Sequence, residues 1–349
     1  MKAAIVGCGA IAKMHASVLR EIAGVTIVGF ADCKVEKAQA YREEYGCEET
    51  NVYASLEEML ENEQVDVLHI CTPHYLHTPM AVYALEKGVH VFTEKPPAIS
   101  RDQFATLKAA AKENHARLGI CFQNRYNEST KAMEEILASG ESGKIVGARA
   151  FVSWMRTKEY YAESDWRGKW ETEGGGCLIN QSVHTLDLLN LFMGGQPVET
   201  QAHMMNYHLK DVIEVEDTVS AYIRYPDAAA CFYATTAYEG NRPIMIDMEC
   251  ENVSIRLEGS YVTCTYKDGR KEELSFYNGH TIGKDYWGTG HRACIRDFYH
   301  CLETGEKFSI EVEDVESTFQ LMMDIYQSAR EQRPVAAKEN RRNENAGIQ

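Results

Sequence analysis

Ten residues near the start of the chain, Ala3-Ala4-Ile5-Val6-Gly7-Cys8-Gly9-Ala10-Ile11-Ala12, constrain its fold more than any others. They read as a short apolar strand, a glycine-rich turn and the first turn of a helix. Gly7 permits the tight turn, Gly9 lets backbone approach a pyrophosphate, and Ala12 is small enough for the helix to pack on the strand. The helix start, at Ala10 and Ile11, offers free N–H groups and the positive end of a dipole to phosphates. A second apolar run, Val25 to Ala31, ends in Asp32, twenty residues after Ala12. A carboxylate at that place accepts both hydroxyls of an adenosine ribose and repels a 2′-phosphate. The expected cofactor is therefore NAD, with NADP disfavoured, although Lys34 lies close enough to soften the preference.

The formal net charge of −16 over 349 residues argues against nucleic acid or an anionic membrane as the main partner. No apolar run approaches the length of a membrane span. Met1 leads directly into the first strand, which leaves no room for a signal peptide. The eleven cysteines are scattered, with no Cys-x-x-Cys pair, and Cys71, Cys121 and Cys231 fall in apolar runs. They are expected to be reduced and buried in a cytoplasmic protein, not disulfide-bonded or zinc-bound.

Strands are predicted at 2–6, 25–31, 65–71, 89–93 and 117–121, and helices at 11–22, 34–45, 55–62, 78–87 and 101–114. This alternation implies a doubly wound parallel sheet of Rossmann type over residues 1–122. From 123 to 337 the pattern changes. Helices are predicted at 129–139, 182–193, 290–304 and 312–329. Alternating runs typical of antiparallel strands fall at 145–154, 215–225, 229–238, 244–250, 253–258, 261–266 and 271–277. The fold class is thus α/β followed by α+β: a substrate and oligomerisation domain on one large, mainly antiparallel sheet with helices on one face. The uncovered face predicts a homodimer or homotetramer. The polar tail, 338–349, is expected to fray.

Ligands bind outside the carboxyl ends of parallel strands. Thr72-Pro73-His74 follows the third predicted strand and Thr93-Glu94-Lys95-Pro96-Pro97 the fourth. The prolines stiffen the backbone around Glu94 and Lys95. A lysine there can give a proton or a hydrogen bond to a hydroxyl. Downstream, Gly174-Gly175-Gly176 precedes Asn180, His184 and Asp187, which recur at helical spacing. Histidine suits hydroxyl–ketone interconversion near neutral pH; the plainer alternative is a core histidine satisfied by Asp187. His74 and His77 form a His-x-x-His with no third ligand in view, so no metal is expected. The stretch from Trp154 to Gly168 offers Arg156, Tyr160, Trp166 and Arg167: aromatic faces stack on sugars and arginine forks bind anions. Tyr286-Trp287-Gly288-Thr289-Gly290-His291 opens a late helix; His291 is a candidate for the pocket, and a simple helix-start role is the alternative.

Four markers together resemble the glucose–fructose oxidoreductase/inositol dehydrogenase/rhizopine catabolism (Gfo/Idh/MocA) superfamily: the glycine loop, Cys71-Thr72-Pro73-His74, Glu94-Lys95-Pro96, and the run from Gly174 to Asp187. The resemblance covers nearly the whole chain. It implies that Lys95 and His184 flank a reacting carbon and that Glu94 contacts the cofactor near the nicotinamide ribose. Thr72, Pro73, His74 and His77 would line the cofactor, and Trp166 and Arg167 its nicotinamide end. The family usually carries Asp where this chain has Asn180. Asparagine cannot take a proton, so Asn180 is expected to orient the substrate, leaving Lys95 and His184 as acid/base. The candidate substrate contacts are Lys95, Arg156, Tyr160, Asn180, His184 and His291. The expected activity is NAD-dependent oxidation of a secondary hydroxyl of a sugar, a nucleotide- or amino-sugar derivative, or a cyclitol. A redox-assisted glycosidase and a non-catalytic nucleotide sensor are the alternatives.

Overall fold

The computed structural model describes residues 1–276 and 290–336. The apolar run Lys2–Val6 forms β1, and α1 (Ala12–Leu19) follows the glycine turn. Then come β2 (Thr26–Ala31), α2 (Val35–Tyr45), β3 (Asn51–Tyr53), α3 (Leu56–Asn62), β4 (Val67–Ile70), α4 (His74–Glu86), β5 (His90–Thr93), α5 (Arg101–Glu113) and β6 (Leu118–Ile120). The six strands form one parallel sheet in the order β3-β2-β1-β4-β5-β6. The chain steps outward from β1 to β2 and β3, then returns across to β4. The crevice between β1 and β4 is therefore the topological switch point. Ser55 and Ser100 start α3 and α5 by accepting the N–H groups of Glu58 and Gln103.

Two features of this half differ from the sequence reading. Strand β3 was not predicted: three half-exposed edge residues show no periodicity. Helix α4 begins at His74, four residues before the predicted start. Pro79, which the predicted start would place in the first turn, is instead the sixth residue of the helix and has no N–H to give the Tyr75 carbonyl.

The second half is built on nine strands. After α6 (Glu128–Ala138) come β7 (Ile145–Ser153), α7 (Lys158–Ala162), α8 (Val183–Phe192), β8 (Glu199–Met205), β9 (Thr218–Arg224), β10 (Ala229–Thr235), β11 (Met245–Cys250), β12 (Val253–Glu258), β13 (Tyr261–Tyr266) and β14 (Lys271–Ser275). The chain continues with α9 (Gly290–Thr304), α10 (Val312–Glu331) and β15 (Val335–Ala336). The order is β14-β13-β12-β11-β7-β10-β9-β8-β15, antiparallel except for the β7–β10 pair. Side chains alternate in and out along β9, as a sheet covered on one face requires. Helices α8 and α10 pack on the covered face. Strands β8 and β15 and helix α7 were not predicted, being short or weakly apolar. The predicted strand 271–277 ends in the structure at Ser275; position 277, the segment Tyr286 to Thr289 and the tail 338–349 lie outside the described residues. Cys71 and Cys121 are buried as expected, but Cys231 is exposed, because β10 turns it to the open face of the sheet.

The two sheets share one apolar core. Ile120 donates its N–H to the Ile310 carbonyl at 3.0 Å, and Phe92, Phe298 and Phe308 cluster beside that bond. Gly119 lies against this cluster. A Cβ there would stand 2.7 Å from the Phe298 ring and 2.9 Å from Phe92. Gly119→Ala should therefore overpack the junction and cost about 1–3 kcal/mol in denaturant unfolding. Unchanged stability would show that the junction is loosely packed.

Candidate active site

The site begins at the switch point. Gly7 has φ +86°, and a Cβ on it would sit 2.7 Å from the Cys71 carbonyl group at the end of β4. Gly9 faces open space, with no heavy atom within 4 Å of where its Cβ would lie. Ala12, the first residue of α1, is fully buried and does not reach the cavity. Asp32 accepts the Cys8 and Lys34 N–H groups at 2.8 and 2.9 Å. A carboxylate has room for further hydroxyl donors. The open glycine backbone, the helix start behind it and the carboxylate at the rim fit a dinucleotide's phosphates and ribose.

A cavity of about 530 Å³ runs from this loop to the second sheet. Every candidate site residue other than Ala12 lines it: Gly7, Gly9, Ala10, Ile11, Asp32, Thr72, Pro73, His74, His77, Glu94, Lys95, Arg156, Tyr160, Trp166, Arg167, Asn180, His184 and His291. Gln123 and Asn124, which carried no motif signal, line it too, as do Gln181 and Thr185 from the run Gly174 to Asp187.

Two loops hold the β4 and β5 ends together. His77 places Nδ1 on the Pro96 carbonyl at 2.7 Å and Nε2 on the Thr72 carbonyl at 2.8 Å. Its nitrogens thus brace the loops. His74 Nδ1 donates to the Glu173 carbonyl at 2.8 Å, and its ring packs 4.7 Å from Trp166. Arg167 lies over the Tyr160 ring at 4.3 Å, and Arg156 lies 5.2 Å from the same ring. One aromatic platform thus carries two guanidinium groups.

Glu94 turns inward. Its Oε1 lies 3.1 Å from His15 Nε2, and both residues are buried. Burial alone would raise the Glu94 carboxyl, but His15 outweighs it and holds it well below the usual carboxylate range. Burial opposes the His15 charge, yet its hydrogen bonds to Cys121 and Glu94 push its pKa up to about 9. His15 Nδ1 faces His69 Nδ1 at 2.8 Å, and His69 Nε2 faces the Tyr299 hydroxyl at 3.0 Å. Burial, then the His15 charge, keeps His69 neutral. The proton order follows: His15 donates to Glu94 and to His69, and His69 donates to Tyr299.

Lys95 points the other way, into the cavity, and donates from Nζ to the Asn180 main-chain carbonyl at 2.8 Å. Burial lowers its pKa against the nearby Glu94. Burial and the Lys95 charge hold His184 well below its ordinary value, so it is neutral at pH 7. Its Nδ1 is buried without a hydrogen-bond partner among the described residues. Burial likewise lowers His291 to about 4.

The glycine run has a steric reason. A Cβ on Gly175 would collide with the Tyr326 hydroxyl, and one on Gly176 with the Glu216 carbonyl. The buried Glu216 carboxylate accepts the N–H groups of Gly176 and Leu178 at 2.9 and 3.0 Å and the Tyr326 hydroxyl at 3.0 Å. Residues Cys177–Ser182 form a π-helical turn, a form that recurs at functional sites. It places Asn180 and His184 on the cavity. Asp187 does not join them. Arg125, on the single turn Gln123–Tyr126, grips it at 2.7 and 2.6 Å, and Thr318 donates at 2.8 Å. The alternative of a core histidine satisfied by Asp187 fails, because Asp187 is already taken.

Two outcomes follow. Asp187→Ala leaves Arg125 buried and unpaired, so it should cost about 3–5 kcal/mol in urea unfolding; a loss below about 1 kcal/mol would contradict the pairing. His15 holds its proton more tightly folded than unfolded, so its stabilisation is complete below pH 6.5 and is lost as pH rises towards about 9. Stability should decline across that window, and His15→Gln should flatten the decline. An equally steep decline in the variant would remove His15 as its source.

The comparisons with known proteins agree with this geometry. Residues 1–122 match the profile of the Gfo/Idh/MocA oxidoreductase family, NAD-binding Rossmann fold, and residues 130–257 match the family's C-terminal domain. Together the two matches cover more than half of the chain. The chain is 30% identical over 203 residues to the D-glucoside 3-dehydrogenase of Escherichia coli, covering 57% of this chain and 56% of that one. That match spans little more than half the relative's length. It is 26% identical to the 1,5-anhydro-D-fructose reductase of Ensifer adhaerens, over 67% of this chain and 71% of that one. Among solved structures, the WlbA dehydrogenase of Bordetella pertussis, in complex with NADH and UDP-GlcNAcA, superposes with a TM-score of 0.84 at 26% identity, covering 97% of this chain and 99% of that one. With two adjoining family matches and the glycine loop, the Glu94-Lys95 strand end and His184 on one cavity, this chain belongs to the Gfo/Idh/MocA oxidoreductase family and carries its NAD-binding Rossmann domain.

Proposed function

We propose that this protein oxidises or forms a secondary alcohol on a sugar, sugar derivative or cyclitol, with NAD as redox partner. One observation carries the reading: Lys95 and His184, from different domains, meet beside Asn180 where the dinucleotide cavity ends. When bound, the nicotinamide supplies the hydride acceptor or donor. The chain supplies orientation and the proton path. Residues 1–122 would hold the cofactor, through Gly7, Gly9, Ala10, Ile11, Asp32, Thr72, Pro73 and Glu94. Residues 123–337 would carry the substrate contacts and the oligomer interface.

Lys95 exchanges the hydroxyl proton. Burial shifts its pKa towards working pH, where an acid/base is most effective. Neutral His184 hydrogen-bonds the same hydroxyl, which meets the unpartnered Nδ1. Arg156, Tyr160 and His291 line the remaining substrate wall. The names of the relatives given above are those of dehydrogenases and a reductase, and no feature of the site favours a glycosidase or a sensor.

The open face of the large sheet supports the oligomer reading. Val146, Tyr222 and Tyr261 are each more than half exposed on its strands. No helix among the described residues is long and apolar enough to cross a membrane. All eleven cysteines are free, which supports a reducing, cytoplasmic setting.

A panel of sugars, nucleotide sugars and cyclitols with NAD, followed for NADH and for released aglycone, tests the activity. Lys95→Met should keep the fold and NAD binding and lose roughly 10²-fold or more in turnover. Near-parental turnover would take Lys95 out of the mechanism. NAD should bind more tightly than NADP, and Asp32→Ala should narrow the gap. Lys34 and Lys37 also line the cavity there. Tighter NADP binding by the parent, read by fluorescence titration, would overturn the assignment.

A further inference from the structure

Glu173 is completely buried, stands outside the cavity wall and takes no part in the chemistry above. Its carboxylate nevertheless touches the pocket through Asn180. Glu173 Oε2 accepts the Gly168 N–H, and Oε1 accepts from Asn180 Nδ2. The other polar atoms of Asn180 are also committed. Its N–H donates to the Gly176 carbonyl at 3.1 Å, and its own carbonyl takes Lys95 Nζ at 2.8 Å. Only the side-chain oxygen, Oδ1, has no partner among the described residues, and Asn180 lines the cavity.

We propose that Glu173 is a positioning residue that sets the polarity of the Asn180 amide, turning Oδ1 to the pocket as an acceptor for a hydroxyl of the substrate. The physical basis is that an ionised carboxylate can only accept. The amide must then present its NH2 to Glu173 and its oxygen to the pocket, which removes the freedom of a 180° flip. The pair also accounts for asparagine at this position. An aspartate here would set two carboxylates in contact inside a buried site. Asn180 keeps an acceptor oxygen at the pocket without that repulsion, and it selects a substrate that donates at this point.

The arrangement is sensitive to pH. Burial pushes Glu173 up to about 7, against the hydrogen bonds from Asn180 and Gly168. Glu216 raises it further and Arg167 lowers it. Lys95, Tyr161 and Cys177 also feel its charge. Once protonated, Glu173 can donate to Oδ1, and the reversed amide offers NH2 to the pocket. Acceptor character is thus a property of the upper side of about pH 7.

The substrate role rests on the proposed hydroxyl chemistry, whereas the amide geometry does not, so the test separates them. In the full-length protein with saturating NAD and selectively ¹⁵N-labelled asparagine, the side-chain amide signal absent from Asn180→Asp belongs to Asn180. It should move with a midpoint near pH 7 in the parent and stay still in Glu173→Gln. A signal indifferent to pH, or to loss of the carboxylate in a folded Glu173→Gln protein, overturns the proposal. Melting curves give a second arm if Glu173→Gln folds poorly. Asn180→Asp should melt at least about 3 °C lower, relative to the parent, at pH 8 than at pH 5.5, and Asn180→Asp/Glu173→Gln should lose that difference. Equal penalties at both pH values overturn the proposal. On a sugar found by the panel, Glu173→Gln should raise KM about tenfold with NAD affinity unchanged; parental KM across pH 6–9 overturns the substrate role. A panel that yields no substrate defeats the redox reading and leaves the two spectroscopic and thermal arms intact.

Discussion

The hydrogen bond from Lys95 Nζ to the Asn180 carbonyl ties the end of β5 to the turn before α8 on the wall of the cavity. Everything else in the site is arranged so that this bond can exist. Lys95 must leave β5 pointing into the cavity, which requires its neighbour Glu94 to be satisfied on the opposite side. Asn180 must present its main-chain carbonyl to Lys95, and it does so from the π-helical turn at Cys177–Ser182.

Charge is distributed to match. A buried carboxylate is costly unless paired, and Glu94 is paired to His15 deep under the sheet. The chain His15–His69–Tyr299 then carries the donor order away from the cavity into the core. On the cavity side the titratable groups are depressed. Lys95, His184 and His291 are all pushed towards their neutral forms, mainly by burial. The result is a site with ion pairing behind it and, in front, basic groups whose charged forms burial disfavours, a division that the alternation of side chains at a strand end makes possible.

The second sheet contributes rigidity more than chemistry. Glu216 gathers the amides of the glycine run, Tyr326 closes over it, and Arg125 with Thr318 anchors α8 through Asp187. These buried polar groups hold in place the turn bearing Asn180 and the start of α8 bearing His184.

The parallel sheet and the switch-point loop were legible in the sequence, because local rules write them there; Lys95, Asn180 and His184 were singled out by strand-end placement, helical spacing and family resemblance, and the fold brings all three to one cavity. Strands covered on both faces are apolar throughout, glycines mark where backbone must turn or approach, and prolines flank the rigid strand end. Most of the antiparallel half was legible from its alternating side chains, but β8 and β15 were missed there, as was the edge strand β3 of the parallel sheet; their short or weakly apolar runs acquire meaning only from their neighbours. Three matters belonged to tertiary structure alone. Asp187 sits at helical spacing from His184, yet Arg125, 62 positions away in the chain, claims it. His15 gives no local sign that it will pair with Glu94, 79 positions on. Glu173 reads as one more acidic residue on a strongly acidic chain. Its burial, its partner and its protonation are set by side chains that the fold brings to it, because the cost of a buried charge depends on what surrounds it in space and not on what adjoins it in sequence.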